Sequence, residues 1–412
     1  MKRISIEDIL KLGIYALLFG TSVSGLKAQS VDSTTIKLSL NEAIRYAKTS
    51  NESIAAFKTE ESASQLDLAD GKMGALPRIL SNASYQRYSK VTLYDGVLGD
   101  PHQIPKPPNA NAGALGLETA FNLYSGGRQR AVITDLKRKS ELASIDTKEQ
   151  EATIALQVTL QYLDMIRFYF QGHLIEDQVA RARLRSKNIG ALYANGKVTK
   201  SDLLRAEVSL SNVLLGENAN KNDYVISNQK LNTLLNLDDS TKIIPVDTTS
   251  LILFNSTELE RLREDLSGAY SILKVRKHIE LQENRTKLAQ SANLPSITLF
   301  GGYGFNYPNT LIFPPVAQTF SVGQVGVKLS YDISSLYQHK NKVKSSILRE
   351  TKLKQQQDWI AHNVQQEAKA LTIKYNEALN RILVTKKSIE HAETNYNIQN
   401  TKNPNQIPNG IR

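Results

Sequence analysis

Two histidine–carboxylate pairs are the residues in this chain whose types most suggest chemistry: His173-x-x-Glu176 and His278-x-Glu280. A bound metal needs three or four such ligands at fixed spacing. No third ligand lies near either pair in sequence, so both read as helix-surface residues. Gly302-Tyr303-Gly304 is not a phosphate loop, because no helix with a lysine or hydroxyl residue follows it. There is no nucleophile elbow and no His-Glu-x-x-His. The expectation is therefore no enzyme, no cofactor and no metal.

Composition narrows the class further. The 412 residues are 41% hydrophobic, which fits neither a disordered chain nor a helical membrane bundle. The one long apolar run follows Lys2 and Arg3 and extends from Leu12 to Leu26. Small and polar residues follow it to Ala28, which reads as a secretory signal over 1–28, too short to span a bilayer. The chain has no cysteine, hence no disulfide, no thiolate site and no lipid-modified cysteine. The net charge is +11. Export argues against nucleic acid as a partner, and Lys137-Arg138-Lys139 and Arg181-x-Arg183-x-Arg185 read as solvated helix faces.

One passage occurs twice. Ala75-Leu76-Pro77 recurs as Asn293-Leu294-Pro295, an offset of 295 − 77 = 218. Gly116-Leu117-Glu118 recurs as Gly326-Val327-Lys328, an offset of 326 − 116 = 210. Such a period is too long for a solenoid. It predicts two structural repeats, 38–250 and 251–412. Each has a helix, a hairpin (78–124 and 295–333) and a rod. A helix opens near Leu38, with Ser39 or Asn41 as cap, and continues to about Met73. Residues 100–108 can only be a loop, 236–257 a mixed connection, and 258–290 a helix.

The strands alternate. Leu115, Leu117, Thr119, Phe121 and Leu123 point one way, and Gly116, Glu118, Ala120 and Asn122 the other. Ile297, Leu299, Gly301, Tyr303, Phe305 and Tyr307 share a face, as do Val325, Val327, Leu329, Tyr331 and Ile333. Gln324, Lys328 and Asp332 lie opposite. Either a half-buried soluble sheet or a transmembrane barrel fits this pattern. Four strands of about ten residues can cross a bilayer but cannot close a barrel alone.

The rods favour the barrel. From Arg128 to about Tyr193 there is no proline. These roughly 65 residues make about 100 Å of helix at 1.5 Å each. Leu156, Leu160, Leu163, Phe170 and Leu174 form one coiled-coil stripe. Ile154, Val158, Tyr162, Met165 and Tyr169 form another. Two stripes imply neighbours on both sides. The rod turns at Asn195-Gly196 and restarts at Thr199 or Ser201. A second rod runs from about 338 to 400.

These features resemble the TolC-like family of outer membrane efflux channels. Leu38-x-Leu40-x-Glu42-Ala43-Ile44-x-x-Ala47 looks like the family's opening helix. Phe121-Asn122-Leu123-Tyr124-Ser125-Gly126-Gly127-Arg128 is similar to its strand-to-helix passage. Tyr193-x-x-Gly196-Lys197-Val198-x-Lys200-Ser201-Asp202-Leu203-Leu204-Arg205-Ala206-Glu207 is similar to its periplasmic hairpin tip. Leu231-Asn232-x-Leu234-Leu235 fits too, although the family usually has glycine where Asn236 stands.

The resemblance implies an α+β membrane protein that forms a homotrimer. Three chains would supply a 12-stranded β-barrel in the outer membrane lipid, continued by a coiled-coil α-helical barrel across the periplasm. Such channels are exit ducts of tripartite efflux or type I secretion systems, joined to an inner-membrane transporter through a periplasmic adaptor (membrane fusion protein). The tip residues Asn195, Gly196, Lys197, Val198, Thr199 and Asp202 would contact the adaptor. Glu118, Asn122, Lys328 and Asp332 would face the lumen. A periplasmic or surface helical scaffold or adhesin is the alternative class.

The second repeat departs from this pattern. The 210 offset places its tip at Asn405-Gln406, and the sequence stops at Arg412. The expected returning helix is missing. A truncated or frameshifted product and a fragment are favoured over a rearranged wall.

Overall fold

The computed structural model describes residues 35–88, 92–97, 99–103, 111–246, 266–309, 311 and 316–402. The signal segment, the loop at 104–108, the prolines at 314 and 315, the start of the helix expected from 258 and the tip expected at 405 and 406 lie outside the described residues. The chain divides into two compact units, 1–45 with 158–248, and 46–157 with 249–412.

In the first unit, β1 (Thr35–Leu38) pairs in parallel with β6 (Lys242–Pro245). Helix α1 (Leu40–Ser50) begins after Ser39. The Ser39 amide donates to Glu42 Oε2 at 2.9 Å, and the Glu42 amide donates back to Ser39 Oγ at 3.4 Å. This reciprocal cap makes Ser39, not Asn41, the start signal. Helix α3 (Arg128–Ala194) enters this unit at Val158, and α4 (Lys200–Leu235) follows it. The core holds Val158, Tyr162, Met165, Leu231, Leu235 and Ile243, all buried. Asparagines tie β6 to α4. Asn228 Oδ1 accepts from the Ile243 amide at 2.8 Å, and its Nδ2 donates to the Thr241 carbonyl at 2.7 Å. Asn232 donates to the same carbonyl at 2.8 Å. The end of α4 explains the residue at 236. Asn236 is left-handed, with φ 54° and ψ 46°. Asparagine is the side chain that tolerates that conformation best after glycine.

In the second unit, α2 (Glu52–Met73) follows α1 after a break at Asn51. The sequence pattern reads through this point as one helix. The break arises because the Asn51 side chain accepts from the Ser53 and Ile54 amides, starting a new helix with its own cap. Helix α5 (Tyr270–Ser291) lies against both α3 and α7 (Lys340–Lys402), and a short helix α6 (Ser335–Gln338) precedes α7. Residues 266–269 are not helical, so α5 starts later than its hydrophobic pattern suggests.

Toward α3, Lys274 reaches Asp146 at 2.8 Å and Glu149 at 2.7 Å, Lys277 reaches Glu141 at 2.8 Å, and Arg138 reaches Glu280 at 3.0 Å. Toward α7, Gln282 Nε2 donates to Ser346 Oγ at 2.9 Å, and Thr286 Oγ1 lies 2.9 Å from the same atom. Burying these hydroxyls and amides is tolerable only because they bond one another.

Four strands form one antiparallel sheet in the order β2 (Arg78–Arg87), β5 (Asn111–Ser125), β7 (Ser296–Tyr307), β8 (Phe320–Ser330). A separate ribbon pairs β3 (Thr92–Tyr94) with β4 (Pro101–Gln103). The sequence reading of 100–108 as pure loop is therefore corrected for residues 101–103. Proline is tolerated at the first position of an edge strand, where no ladder amide is needed. Helices α2 and α5 are each 22 residues long. Their first residues, Glu52 and Tyr270, stand at the same offset as the two Leu-Pro passages that follow them.

Candidate functional site

Strand register builds the two faces of the sheet. Ile79 lies opposite Thr119, Leu117 opposite Tyr303, Leu115 opposite Phe305, Thr119 opposite Gly301, and Gly301 opposite Val325. Leu299 lies opposite Val327, and Ile297 opposite Leu329. All these side chains therefore share one face. Ile79, Leu115, Leu117, Tyr303, Val325, Val327 and Leu329 are exposed there, Val325 to 81%. Tyr303 and Phe305 meet edge to face at 5.6 Å. Among the described residues, no core covers these side chains. A contiguous exposed apolar face of this extent marks an interaction surface.

The other face mixes glycines, alanines and polar residues with Leu80, Phe300 and Val322. Glu118 lies opposite Leu80 and Gly302, Asn122 opposite Thr298, and Lys328 opposite Thr298. Asn122 Oδ1 accepts from Thr298 Oγ1 at 3.0 Å. Asp332 lies past the last residue of β8. Its carboxylate accepts from the Ser334 amide at 3.0 Å and hydroxyl at 2.6 Å, so it caps the turn into α6.

One detail departs from simple alternation. The β5–β7 register jumps between Asn122 and Tyr124, so Tyr124 lies opposite Ile297 and Leu123 has no partner. A bulge of this kind adds a residue and turns the strand. It leads into Gly126 (φ 61°) and Gly127 (φ 81°), which start α3. A Cβ at Gly126 would stand 2.6 Å from the Ser291 carbonyl oxygen. Glycine is required there for both conformation and space.

The turn between α3 and α4 is built by paired caps. Gly196 has φ 67°. The Lys197 amide donates to the Leu192 carbonyl and the Gly196 amide to the Tyr193 carbonyl, both at 2.9 Å, which closes the end of α3. Asn195 Nδ2 adds a bond to the Ala191 carbonyl at 2.8 Å. Thr199, not Ser201, caps α4. Its amide donates to Asp202 Oδ2 at 3.0 Å, its hydroxyl to the same atom at 2.6 Å, and the Asp202 amide returns a bond at 3.3 Å. These bonds, the hydroxyl first, hold the Asp202 carboxyl below the usual aspartate range. Val198 and Asp202 are half-buried, while Asn195, Gly196, Lys197 and Thr199 are exposed.

The two stripes of α3 have different fates. Ile154, Val158, Tyr162 and Met165 are buried but Tyr169, the last residue of their stripe, is exposed, as are Leu156, Leu160, Leu163, Phe170 and Leu174. The metal-like pair His173 and Glu176 is a surface contact at 3.4 Å. Among the described residues, no group of three or more potential ligands comes together. No described helix is long and apolar enough to cross a membrane. Sequence patterning missed the β1–β6 pair. Its signal was the alternation of Ile36 and Leu38 and the short apolar run Ile243-Ile244.

No protein-family model and no curated protein matches the chain. Solved structures do. The outer membrane protein VceC from Vibrio cholerae aligns at TM-score 0.70 and 17% identity, covering 90% of this chain and 87% of that one. The outer-membrane channel OprN aligns at TM-score 0.67 and 17% identity, covering 89% and 81%. The Campylobacter jejuni CmeC outer membrane channel aligns at TM-score 0.67 and 16% identity, covering 87% and 76%. The strand-to-helix passages, capped rods and four-stranded sheet of this chain thus form the same fold as these outer membrane proteins.

Proposed function

We propose that this chain is an outer membrane channel, the exit duct of a tripartite efflux or type I secretion system. The observation that carries this reading is the exposed apolar face running across all four strands of a sheet with two open edges. Among the described residues, β2 pairs only with β5 and β8 only with β7. Unpaired edges with an apolar face are aggregation-prone in water but closable in lipid. A barrel removes them, and known single-chain barrels begin near eight strands. Three copies would supply twelve.

The exposed leucine stripe of α3 supports the same assembly, because it supplies a second seam for a neighbouring chain. The matching 22-residue helices α2 and α5, each leading into a Leu-Pro strand entry, support duplication of one half into the other. In this arrangement Glu118, Asn122 and Lys328 face the lumen, with Asp332 where a strand passes into a helix. Their polarity keeps the path wet and biases the charge of what passes. The capped turn from Asn195 to Asp202 is the proposed contact for a periplasmic adaptor, which links to an inner-membrane transporter. The channel itself is passive and carries out no reaction.

The absence of native cysteine gives a clean test. Cysteine pairs scanned along β2 and β8 on one chain, such as Ser84→Cys with Gln324→Cys, are oxidised in the membrane. Covalent dimers and trimers, and no larger species, are expected in the detergent-extracted fraction. A monomer that washes off with salt would sink the proposal in favour of a scaffold.

A further inference from the structure

A cavity in the first unit plays no part in the channel reading. It has a volume of about 620 Å³ and lies between α3, α4 and the segment from Asp239 through β6. That size is typical of small-molecule sites. Phe168, Tyr169, Tyr224, Val225 and Ile243 give it aromatic and aliphatic walls. The Tyr169 ring is held edge-on between Phe170 at 5.6 Å and His173 at 4.8 Å.

Among the buried polar groups around it, Tyr224 and Asn228 are bonded and Asn220 keeps one atom without a partner. Tyr224 donates to the Ile243 carbonyl at 3.3 Å, and burial pushes its hydroxyl pKa up, so it remains a donor. Asn228 is bonded at both ends of its amide. Asn220 lines the same cavity and is 7% exposed. Its Nδ2 donates to the Phe168 carbonyl at 3.1 Å, which fixes the amide orientation. Its Oδ1 is buried without a hydrogen-bond partner. A buried amide oxygen left unpaired is destabilising, and native structures rarely keep one without cause.

Gly172 faces this amide. A Cβ there would stand 3.2 Å from Asn220 Nδ2, so a larger residue would press on the amide and narrow the space. Asp239 and Lys242 also line the cavity, at its β6 side. His173 is paired with Glu176, and Lys221 with Glu217 at 2.6 Å. The walls suit a flat, neutral ring, and the free acceptor suits one donor.

We propose that this cavity binds a small planar aromatic molecule carrying one N–H or O–H donor, which bonds to Asn220 Oδ1. The site is independent of channel activity, and its test is binding to the full chain in detergent. The probes are indole, which has a ring N–H, and indene, which has the same shape and no donor. Indole is expected to bind roughly fivefold to tenfold more tightly than indene, the value of one net hydrogen bond. Asn220→Leu removes the acceptor and should erase that preference while indene binding remains. Val225→Trp fills the space from its exposed rim and should weaken both probes by at least tenfold. Equal binding of the two probes to the wild-type chain overturns the proposal, as does unchanged binding to the folded Val225→Trp variant. Crystals of the full protein soaked in indole give a reading free of folding effects. Ring density with its nitrogen within hydrogen-bond distance of Asn220 Oδ1 supports the site. Only water there, or a side chain from a second copy, overturns it.

Discussion

The Tyr162 hydroxyl donates to the Leu38 carbonyl at 3.0 Å and accepts from the Val246 amide at 3.2 Å. One fully buried side chain on α3 thus fastens the end of β1 and the residue after β6. Tyr162→Phe removes the hydroxyl from this junction and leaves the direct bond from the Val246 amide to the Leu38 carbonyl, 3.1 Å, in place. The expected cost is about 0.5–1.5 kcal/mol, the net value of a lost hydrogen bond. Thermal unfolding should show it, and amides of β6 should exchange faster. Unchanged exchange at β6 would contradict this role.

Gly196 and the Thr199–Asp202 cap predict behaviour at the turn. Gly196→Val forces a β-branched residue to φ 67°, costing roughly 1–2 kcal/mol locally. Export should fall while trimers remain in the membrane. Normal export would count against an adaptor contact there. The Asp202 carboxyl is held below its usual range, so its contribution is full above about pH 5 and fades as pH falls through the depressed value. Asp202→Asn should remove that pH dependence from hydrogen exchange in the first turn of α4.

The ion pairs between α3 and α5 predict a stability plateau. The bond from Lys277 holds the Glu141 carboxyl low, with Arg138 assisting. Its contribution is therefore full at neutral pH and is lost as pH falls through that depressed value. For Lys277, burial alone would lower the pKa. Its bonds to Glu141 and Glu280 outweigh this and raise it. That contribution is full below about pH 10 and is lost as pH rises through the raised value. Lys277→Met should cost about 1 kcal/mol after solvent screening and shrink the salt dependence of unfolding. A wild-type chain equally stable in low and high salt would refute it.

The two faces of the sheet predict opposite tolerances. Val327→Arg places a charge on the apolar face and should cost about 2–4 kcal/mol near a bilayer midplane. Gln324→Arg, on the opposite face of the same strand, should fold and assemble normally. Yield of detergent-resistant trimers is the readout. Equal yields for the two variants would argue for a soluble sheet.

Much of this protein was written locally. Alternation in 297–305 and 325–329 set which residues share a face, because strand side chains repeat every two residues. Freedom from proline between 128 and 194 set a 67-residue helix. Glycines at 126 and 196 marked the turns, because few other residues accept φ near 60°.

Tertiary structure decided the rest. β1 begins at Thr35 and β6 at Lys242, in distant parts of the chain, and neither short strand is stable without the other. The bulge at Leu123 exists only against β7, since a register is a property of two strands. The two stripes of α3 are alike in spacing, but burial separates them. Tyr162 and Met165 are covered, and Leu156 and Leu160 are not. Periodicity announces that a face is apolar. Only the arrangement of neighbours determines what covers it, because the hydrophobic effect rewards area removed from water and not a position in sequence.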